Sequence, residues 1–493
     1  MKENIKDYSL LLIVILLFYV ISNFFYGYFK LGDDTYIYLQ YATNIIHHAE
    51  ISFNLGEKSY GFTSPLWLFL IAGLNYFIHN LISIPEILSL SFSILTIIVW
   101  FFIIKELEPN KTILFLLLLF ISLDPNLLKH SHLGMEASLS YFLSSLLILL
   151  FLNYKNKPMP YTLGLALGVY SLVRPESFIL AIICIFWLLV NSFLRIKDIL
   201  KIISSAIIVT LPWNIFSYFY FGNIVSSTSY AKGLAFPLGR IFFHQLITSF
   251  EIIAGNYIAV IIVLIAVFFS KETRKKLLYK AGFYFYLTLI LFFTFIILYS
   301  LVLNNELVYA RYYTMLFPFL MLLVVLLISK CITSYKNKII IISVILLSFI
   351  SLTGLYSNIN RKLYLSNESL ENKVVRWVNL NTSNNSKIVR SRIGKIGFLT
   401  DRIIIDPVGL INPEVIKYNL KDSTAEYFKE MKIDYLIESN SWWSDEMKKY
   451  ADLKLVKSFP PGYDNLVRNY FSRQNKLGFL NIYKVEWSHD KAE

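Results

Sequence analysis

The sequence predicts a polytopic α-helical membrane protein that carries a soluble α/β domain at its C-terminal end. Of the 493 residues, 56% are apolar and only 16% are charged, whereas a soluble domain has roughly a quarter charged residues. Eleven apolar segments reach or approach the length of a spanning helix, roughly 17 to 25 residues. The charged residues concentrate after residue 358. This composition excludes a disordered, coiled-coil or collagen-like chain.

The eleven candidate spans are distributed over the first 358 residues. We expect them at 8–28, 84–104, 110–125, 135–153, 159–173, 176–195, 199–216, 255–270, 281–302, 314–330 and 338–357. The segment Pro65–Phe77 is apolar over only about a dozen residues, which is too short to cross the bilayer. It is therefore predicted to be an interfacial or re-entrant helix.

The distribution of basic residues predicts the topology. With the N-terminus in the cytoplasm, the inner segments hold 17 Lys and Arg residues and the longer outer loops hold 7, as the positive-inside rule requires. Counting 65–77 as a span would instead place the basic runs 195–201 and 271–280 outside. The net charge of +13 is thus partly a topology signal, with basic loops facing anionic inner-leaflet lipid, and no nucleic-acid partner is expected.

The C-terminal region has a different composition. Residues 359–493 contain 39 of the 79 charged residues of the chain. Polar helical stretches there alternate with short apolar runs, at Lys387–Arg390, Ile403–Ile405, Tyr435–Ile437, Leu453–Val456 and Gly478–Val485. This alternation predicts an α/β domain. The chain is therefore divided into a transmembrane domain, 1–358, and an extracytoplasmic domain, 359–493, in a multi-pass protein of the cytoplasmic (inner) membrane.

An acidic pair, Asp33 and Asp34, stands at the start of the loop between the first two predicted spans, called the first loop below. Adjacent carboxylates at a membrane boundary are costly unless they are solvated or used. One of them could act as a general base in a water-accessible cavity, or both could simply cap the next helix. That helix has Ile37, Tyr41 and Ile45 on one face, so it is predicted to lie on the membrane surface.

Other polar residues at the predicted outer ends of the spans allow two interpretations each. Glu136 could bind acceptor hydroxyls or favour a helix N-terminus. Arg174 could form a structural ion pair with Glu176 or another carboxylate. Lys232 and Arg311 could bind a phosphate through charge-assisted hydrogen bonds, or lie at the interface as snorkelling side chains.

The first loop resembles that of a known enzyme family. It reads DDTYIYLQYATNIIHHAEISFNLGEKSYGFTSPLW and is similar to the loop of the mycobacterial arabinofuranosyltransferases that add terminal β-arabinofuranose, and of their bacterial relatives. These are GT-C glycosyltransferases, integral membrane enzymes that use polyprenyl-phosphate-linked sugars. Further similar motifs follow in order, LGMEASL (133–139), RPE (174–176), STSYAK (227–232), ARYYTMLFP (310–318) and GKIGFLTDRIIIDPVGLINPE (394–414). The resemblance covers nearly the whole chain.

The resemblance implies a GT-C fold with two juxtamembrane helices in the first loop. It also implies inverting transfer of a sugar from a polyprenyl-phosphate donor to a glycan or lipid acceptor. Asp33 is then expected to be the catalytic base, with Asp34 as its partner or as an acceptor contact. The second carboxylates at the acceptor are expected to be Glu136 and Glu57, and the donor-phosphate residues Lys232, Arg311 and Arg174. No metal is required, although Asp33, Asp34 and Glu136 could bind a divalent ion.

Two other function classes remain open. A flippase or transporter for lipid-linked glycans usually has internal repeats and intramembrane charges, which are not evident in this sequence. A polymerase or ligase that uses diphosphate-linked glycans would be expected to have more arginines in its large outer loop than residues 217–254 contain.

Overall fold

The computed structural model describes residues 2–28, 31–154, 156–191, 194–304, 308–365, 370–439, 442–460 and 479–487. The helices up to residue 365 are α1 (Lys2–Tyr26), α2 (Asp33–His48), α3 (Pro65–Ile78), α4 (Ile84–Leu107), α5 (Lys111–Ser122), α6 (Pro125–His130), α7 (Ala137–Tyr154), α8 (Pro160–Ser171), α9 (Ser177–Val190), α10 (Ile196–Phe221), α11 (Ser227–Ser229), α12 (Phe242–Phe269), α13 (Lys271–Val302), α14 (Phe317–Leu326) and α15 (Tyr335–Leu365). They are supplemented by π turns at Tyr230–Leu234 and Leu327–Cys331 and by a 3-10 turn at Ala310–Tyr313.

Each of the eleven predicted spans coincides with a helix. Within the described residues, seven helices are long and apolar enough to cross a membrane, namely α1, α4, α7, α10, α12, α13 and α15. The other four predicted spans coincide with the shorter helices α5, α8, α9 and α14. The prediction of a polytopic helical membrane protein is confirmed, whereas the count of eleven spans stays a prediction.

Both helices expected in the first loop are present. In α3, Ser64 caps the N-terminus by accepting the N–H of Trp67, and Pro65 occupies the first turn, where a missing N–H does no harm. Helix α2 begins at Asp33, so the acidic pair forms its first turn. Residues on all sides of α2 are buried, because it lies between α3 and a helix of the C-terminal domain. The apolar face of α2 is thus covered by protein, and its position at the membrane surface stays a prediction.

The C-terminal domain is α/β, as predicted. Its elements are α16 (Leu370–Asn381), β1 (Lys387–Val389), α17 (Ile393–Thr400), β2 (Ile403–Ile405), α18 (Val415–Asn419), α19 (Thr424–Met431), β3 (Tyr435–Glu438), α20 (Trp442–Met447), β4 (Ala451–Phe459) and β5 (Leu480–Trp487). The sheet order is β2-β1-β3-β5-β4. Strand β1 pairs in parallel with β2 and β3, while β5 is antiparallel to β3 and β4. The expected boundary at residue 358 falls inside α15, which continues to Leu365.

The edge strand β2 joins this domain to the first loop. The Asn54 side chain donates to the carbonyl oxygen of Ile404 at 2.9 Å and accepts the N–H of Ile404 at 3.1 Å. An amide side chain thereby takes the place of a neighbouring strand and satisfies two backbone groups of the edge. Phe53 packs so closely on Gly397 that a Cβ at residue 397 would lie 2.4 Å from the ring. The C-terminal domain and the first loop therefore lie on the same side of the helical bundle.

Candidate active site

The carboxylate of Asp33 is held by the C-terminal domain. Its Oδ1 accepts the N–H of Lys395 at 2.9 Å and its Oδ2 accepts the N–H of Gly394 at 3.2 Å. Both amides belong to the first turn of α17, where backbone N–H groups have no partner within the helix. The N-cap of α2 is Gly32. Asp33 therefore caps α17 instead of the helix that it begins.

The environment of Asp33 favours proton uptake. Burial raises the pKa of the Asp33 carboxyl, and the negative charges of Glu371 and Asp34 act in the same direction. The two N–H groups of α17 oppose this effect, because they stabilise the ionised form. The net result is a pKa above the ordinary value for aspartate.

Asp34 makes a different contact. Its Oδ2 lies 2.5 Å from Nη1 of Arg311. Burial alone would raise the pKa of Asp34, but the positive charges of Arg311 and Lys232 outweigh it and lower the pKa to about 2. The Asp34 side chain is 39% exposed and that of Arg311 20%. This part of the site thus combines an ionised carboxylate with two cations that remain accessible from outside.

Two connected turns present these cations. Lys232 lies in the π turn Tyr230–Leu234 and Arg311 in the 3-10 turn Ala310–Tyr313. The carbonyl oxygen of Lys232 accepts the N–H of Asn304 at 3.1 Å. Gly233 approaches the end of α13 so closely that a Cβ there would lie 1.8 Å from the carbonyl oxygen of Val302. These contacts fix the segment carrying Lys232 against the one that leads to Arg311.

Arg174 and Arg311 both lie over the aromatic ring of Tyr312. The guanidinium carbon of Arg311 is 5.7 Å from the centre of the Tyr312 ring, and that of Arg174 is 5.3 Å from it. Arg174 donates to Glu136 at 3.1 Å and to Glu176 at 2.5 Å. Arg174 and Glu136 are only 4% and 2% exposed. Arg174 therefore forms a structural ion pair, one of the interpretations that the sequence allows, and Glu136 is its buried partner.

Glu57 belongs to another contact. Its Oε2 accepts from Asn54 at 2.9 Å and from Asn412 at 3.5 Å, so it lies where the first loop meets the C-terminal domain.

The structure thus brings Asp33, Asp34, Lys232 and Arg311 together and places the Arg174–Glu136 pair behind Tyr312. Among the described residues, no group of three or more His, Cys, Asp or Glu side chains could hold a metal ion.

Sequence reasoning missed a charged group from the C-terminal domain. Glu371 accepts from Arg390 at 2.7 Å and from Arg392 at 3.2 Å. The charge of Glu371 acts on Asp33, and that of Arg392 acts on Asp34. The signal in the sequence was the Arg-Ser-Arg run at 390–392, directly before the similar motif that starts at Gly394.

Comparisons with known proteins identify the fold. A family model described as a domain of unknown function (DUF8728) matches residues 358–478, and no curated protein matches the sequence. The structure of ArnT from Cupriavidus metallidurans bound to undecaprenyl phosphate is similar, with a TM-score of 0.59, 10% identity and coverage of 98% of both chains. Its apo state gives a TM-score of 0.62, 9% identity and coverage of 96% of this chain and 97% of that one.

A second glycosyltransferase has a similar fold. The apo oligosaccharyltransferase of Archaeoglobus fulgidus matches with a TM-score of 0.58 and 12% identity, over 98% of this chain and 74% of that one. ArnT and this enzyme are both GT-C glycosyltransferases. The chain therefore has the GT-C fold that its first loop and the ordered motifs imply.

Proposed function

We propose that this protein is an inverting GT-C glycosyltransferase. It moves a sugar from a polyprenyl-phosphate donor to a glycan or lipid acceptor at the outer side of the cytoplasmic membrane. The observation that carries this proposal is the acidic pair beside Arg311 and Lys232, in which Asp33 and Asp34 have separate partners. The GT-C fold supports it, as does the undecaprenyl phosphate named in the structure of ArnT.

The donor phosphate is proposed to bind Arg311 and Lys232. Charge-assisted bonds to phosphate oxygens are strong, and a guanidinium can bind two oxygens at once. Asp34 is the partner of Arg311 in the structure, so an incoming phosphate would compete with Asp34 or share the guanidinium with it. Arg174 is already occupied by Glu136 and Glu176. Its contribution to the phosphate site would be indirect, through the Tyr312 ring that it shares with Arg311.

Asp33 is proposed to be the general base. Its pKa is raised, whereas that of Asp34 is held at about 2, so Asp33 is the stronger proton acceptor of the two. Each Asp33 oxygen accepts one N–H and keeps a second lone pair for an acceptor hydroxyl. Asp34 is left to orient that hydroxyl.

The proposed transfer needs only the donor, the acceptor and the Asp33 carboxylate. The acceptor oxygen forms a bond to the anomeric carbon while its proton passes to Asp33. The bond from that carbon to the phosphate oxygen breaks on the opposite face, and the phosphate leaves with the electron pair. Arg311 and Lys232 stabilise the charge that grows on the phosphate. The proposal requires no metal.

The lipid product distinguishes this proposal from the alternatives. Purified protein is incubated with a panel of polyprenyl-phosphate and polyprenyl-diphosphate sugars, and the released lipid is identified by mass spectrometry. We expect polyprenyl monophosphate from at least one donor, and its loss in Asp33→Asn. Asp452→Asn is the matched control, because Asp452 is exposed on β4.

Two other results would overturn the proposal. Release of a polyprenyl diphosphate would indicate a polymerase or ligase. Movement of a lipid-linked glycan across a proteoliposome membrane, without release of any lipid product, would indicate a transporter.

A further inference from the structure

We propose that the C-terminal domain is part of the catalytic centre, and that the first turn of α17 positions the Asp33 carboxylate for catalysis. This inference rests on the proposed function, because it takes Asp33 as the base. It assigns a role to the region matched by the domain of unknown function, residues 358–478. Gly394 and Lys395 are positioning residues, since they act through Asp33.

The first turn of α17 holds the Asp33 carboxylate at two points, through the N–H groups of Gly394 and Lys395, and this contact is called the clamp below. The two oxygens of Asp33 accept neighbouring amides of one helix turn, at 2.9 Å and 3.2 Å. Two hydrogen bonds to a single rigid turn fix both the position and the rotation of the carboxylate. Such orientation matters for catalysis, because a misplacement of about 1 Å can lower the rate by about a hundredfold.

The sequence of α17 permits this close approach. A Cβ at Gly394 would lie 1.9 Å from the carbonyl oxygen of Asp33 and 3.2 Å from Ile37, so only glycine fits here without a shift of the backbone. On the other side of the contact, the Tyr36 ring packs against Phe398, with ring centres 5.8 Å apart. The ammonium of Lys395 lies 5.5 Å from the centre of the same Tyr36 ring.

The domain also contributes charge to the clamp. Glu371 is held by Arg390 and Arg392, and its carboxylate acts on Asp33. Among the described residues, the charged groups that act on Asp33 or Asp34 include Arg311 and Lys232 from the bundle and Glu371 and Arg392 from the C-terminal domain. A domain that supplies both N–H donors and charges on each side of the acidic pair is a component of the site.

One pair of variants separates the backbone N–H from the side chain of Lys395. Lys395→Pro removes both, whereas Lys395→Ala removes the side chain alone. Proline is tolerated in the first turn of a helix, where its missing N–H breaks no intrahelical bond. We expect kcat of Lys395→Pro to fall about tenfold or more below that of Lys395→Ala, with KM for the polyprenyl-phosphate donor changed less than twofold.

The pH profile gives a readout that a merely structural role would not move. The N–H of Lys395 lowers the pKa of Asp33, so its removal raises that pKa. A base must be ionised to act, and the acid limb of the kcat profile should therefore move to higher pH in Lys395→Pro but not in Lys395→Ala. Should Lys395→Pro fail to fold, Gly394→Ala replaces it, with Gly73→Ala as its control because nothing lies within 4 Å of that Cβ position.

A second measurement needs no substrate. Hydrogen exchange of the amides of Gly394 and Lys395 is compared in the wild type and in Asp33→Ala, and we expect faster exchange in the variant. Unchanged exchange would overturn the clamp whether or not a donor is used. Equal kcat and equal acid limbs in the two Lys395 variants would overturn the positioning role while the glycosyl transfer stands. A wild type that uses no donor would remove the proposed function and the positioning role with it.

Discussion

Neighbouring residues in this site have opposite environments. Asp33 and Asp34 occupy consecutive positions at the start of α2, and their side chains therefore point to different sides of the helix. One meets the amides of α17 and the other meets Arg311. The sequence identified the pair, but only the structure separates a carboxyl with a raised pKa from one with a pKa of about 2.

Arg174 and Arg311 allow a matched test of two residue roles. Arg174→Met would leave the buried Glu136 and the half-buried Glu176 without their cation, and the loss of one partner of a buried ion pair costs about 3–5 kcal/mol. We expect Arg174→Met to have a clearly lower thermal midpoint than Arg311→Met when unfolding in detergent is monitored by intrinsic fluorescence. An equal thermal midpoint in the two variants would contradict the structural role of Arg174.

The complementary expectation concerns donor binding. Arg311→Met removes a partly accessible cation that pairs with the partly exposed Asp34. We expect KM for a polyprenyl-phosphate donor to rise by about tenfold or more, since hydrogen bonds to charged groups contribute about 1.5–3 kcal/mol. Arg376→Met, at an exposed position of the C-terminal domain, serves as the control. A donor KM that is unchanged in Arg311→Met would exclude Arg311 from the phosphate site.

At the scale of elements, apolar periodicity and run length predicted most of the fold. All five short apolar runs of the C-terminal region correspond to strands, and each predicted span corresponds to a helix. The position of α2 was not predicted. Its apolar face indicated a surface location, and in the structure the C-terminal domain packs on the helix through contacts between residues about 360 positions apart, such as Asp33 with Gly394. No local pattern encodes a contact of that range.

The join between the first loop and β2 gives an element-scale prediction. Asn54→Ala removes the side chain that pairs with both backbone groups of Ile404, and each buried group left unsatisfied costs about 1–3 kcal/mol. We expect faster hydrogen exchange in β2 and at the first turn of α17, because both elements dock on the same loop. Asn384→Ala, at an exposed position, is the control. Exchange equal to that of the wild type would show that the domain docks without this pair.

At the scale of the whole molecule, the contacts place the C-terminal domain and the acidic pair on one side of the bundle. The charge distribution predicts that this is the outer side. The native cysteines, Cys184 and Cys331, are buried, so single cysteines can be introduced at the exposed residues Asn385 and Lys275. In intact spheroplasts, a membrane-impermeant thiol reagent should label Asn385→Cys, and should label Lys275→Cys only after permeabilisation. The reverse labelling pattern would show that the C-terminal domain faces the cytoplasm.

Asp33 and its cationic surroundings are proposed to carry out glycosyl transfer from a lipid phosphate. The most direct measurement is the rate of polyprenyl phosphate release by Asp33→Asn and by the wild type, on a donor that the wild type turns over. We expect the variant to retain at most a few per cent of the wild-type rate, with an unchanged thermal midpoint, because its amide cannot accept the proton of the acceptor. A folded Asp33→Asn variant that releases polyprenyl phosphate at a rate near that of the wild type would show that Asp33 is not the base.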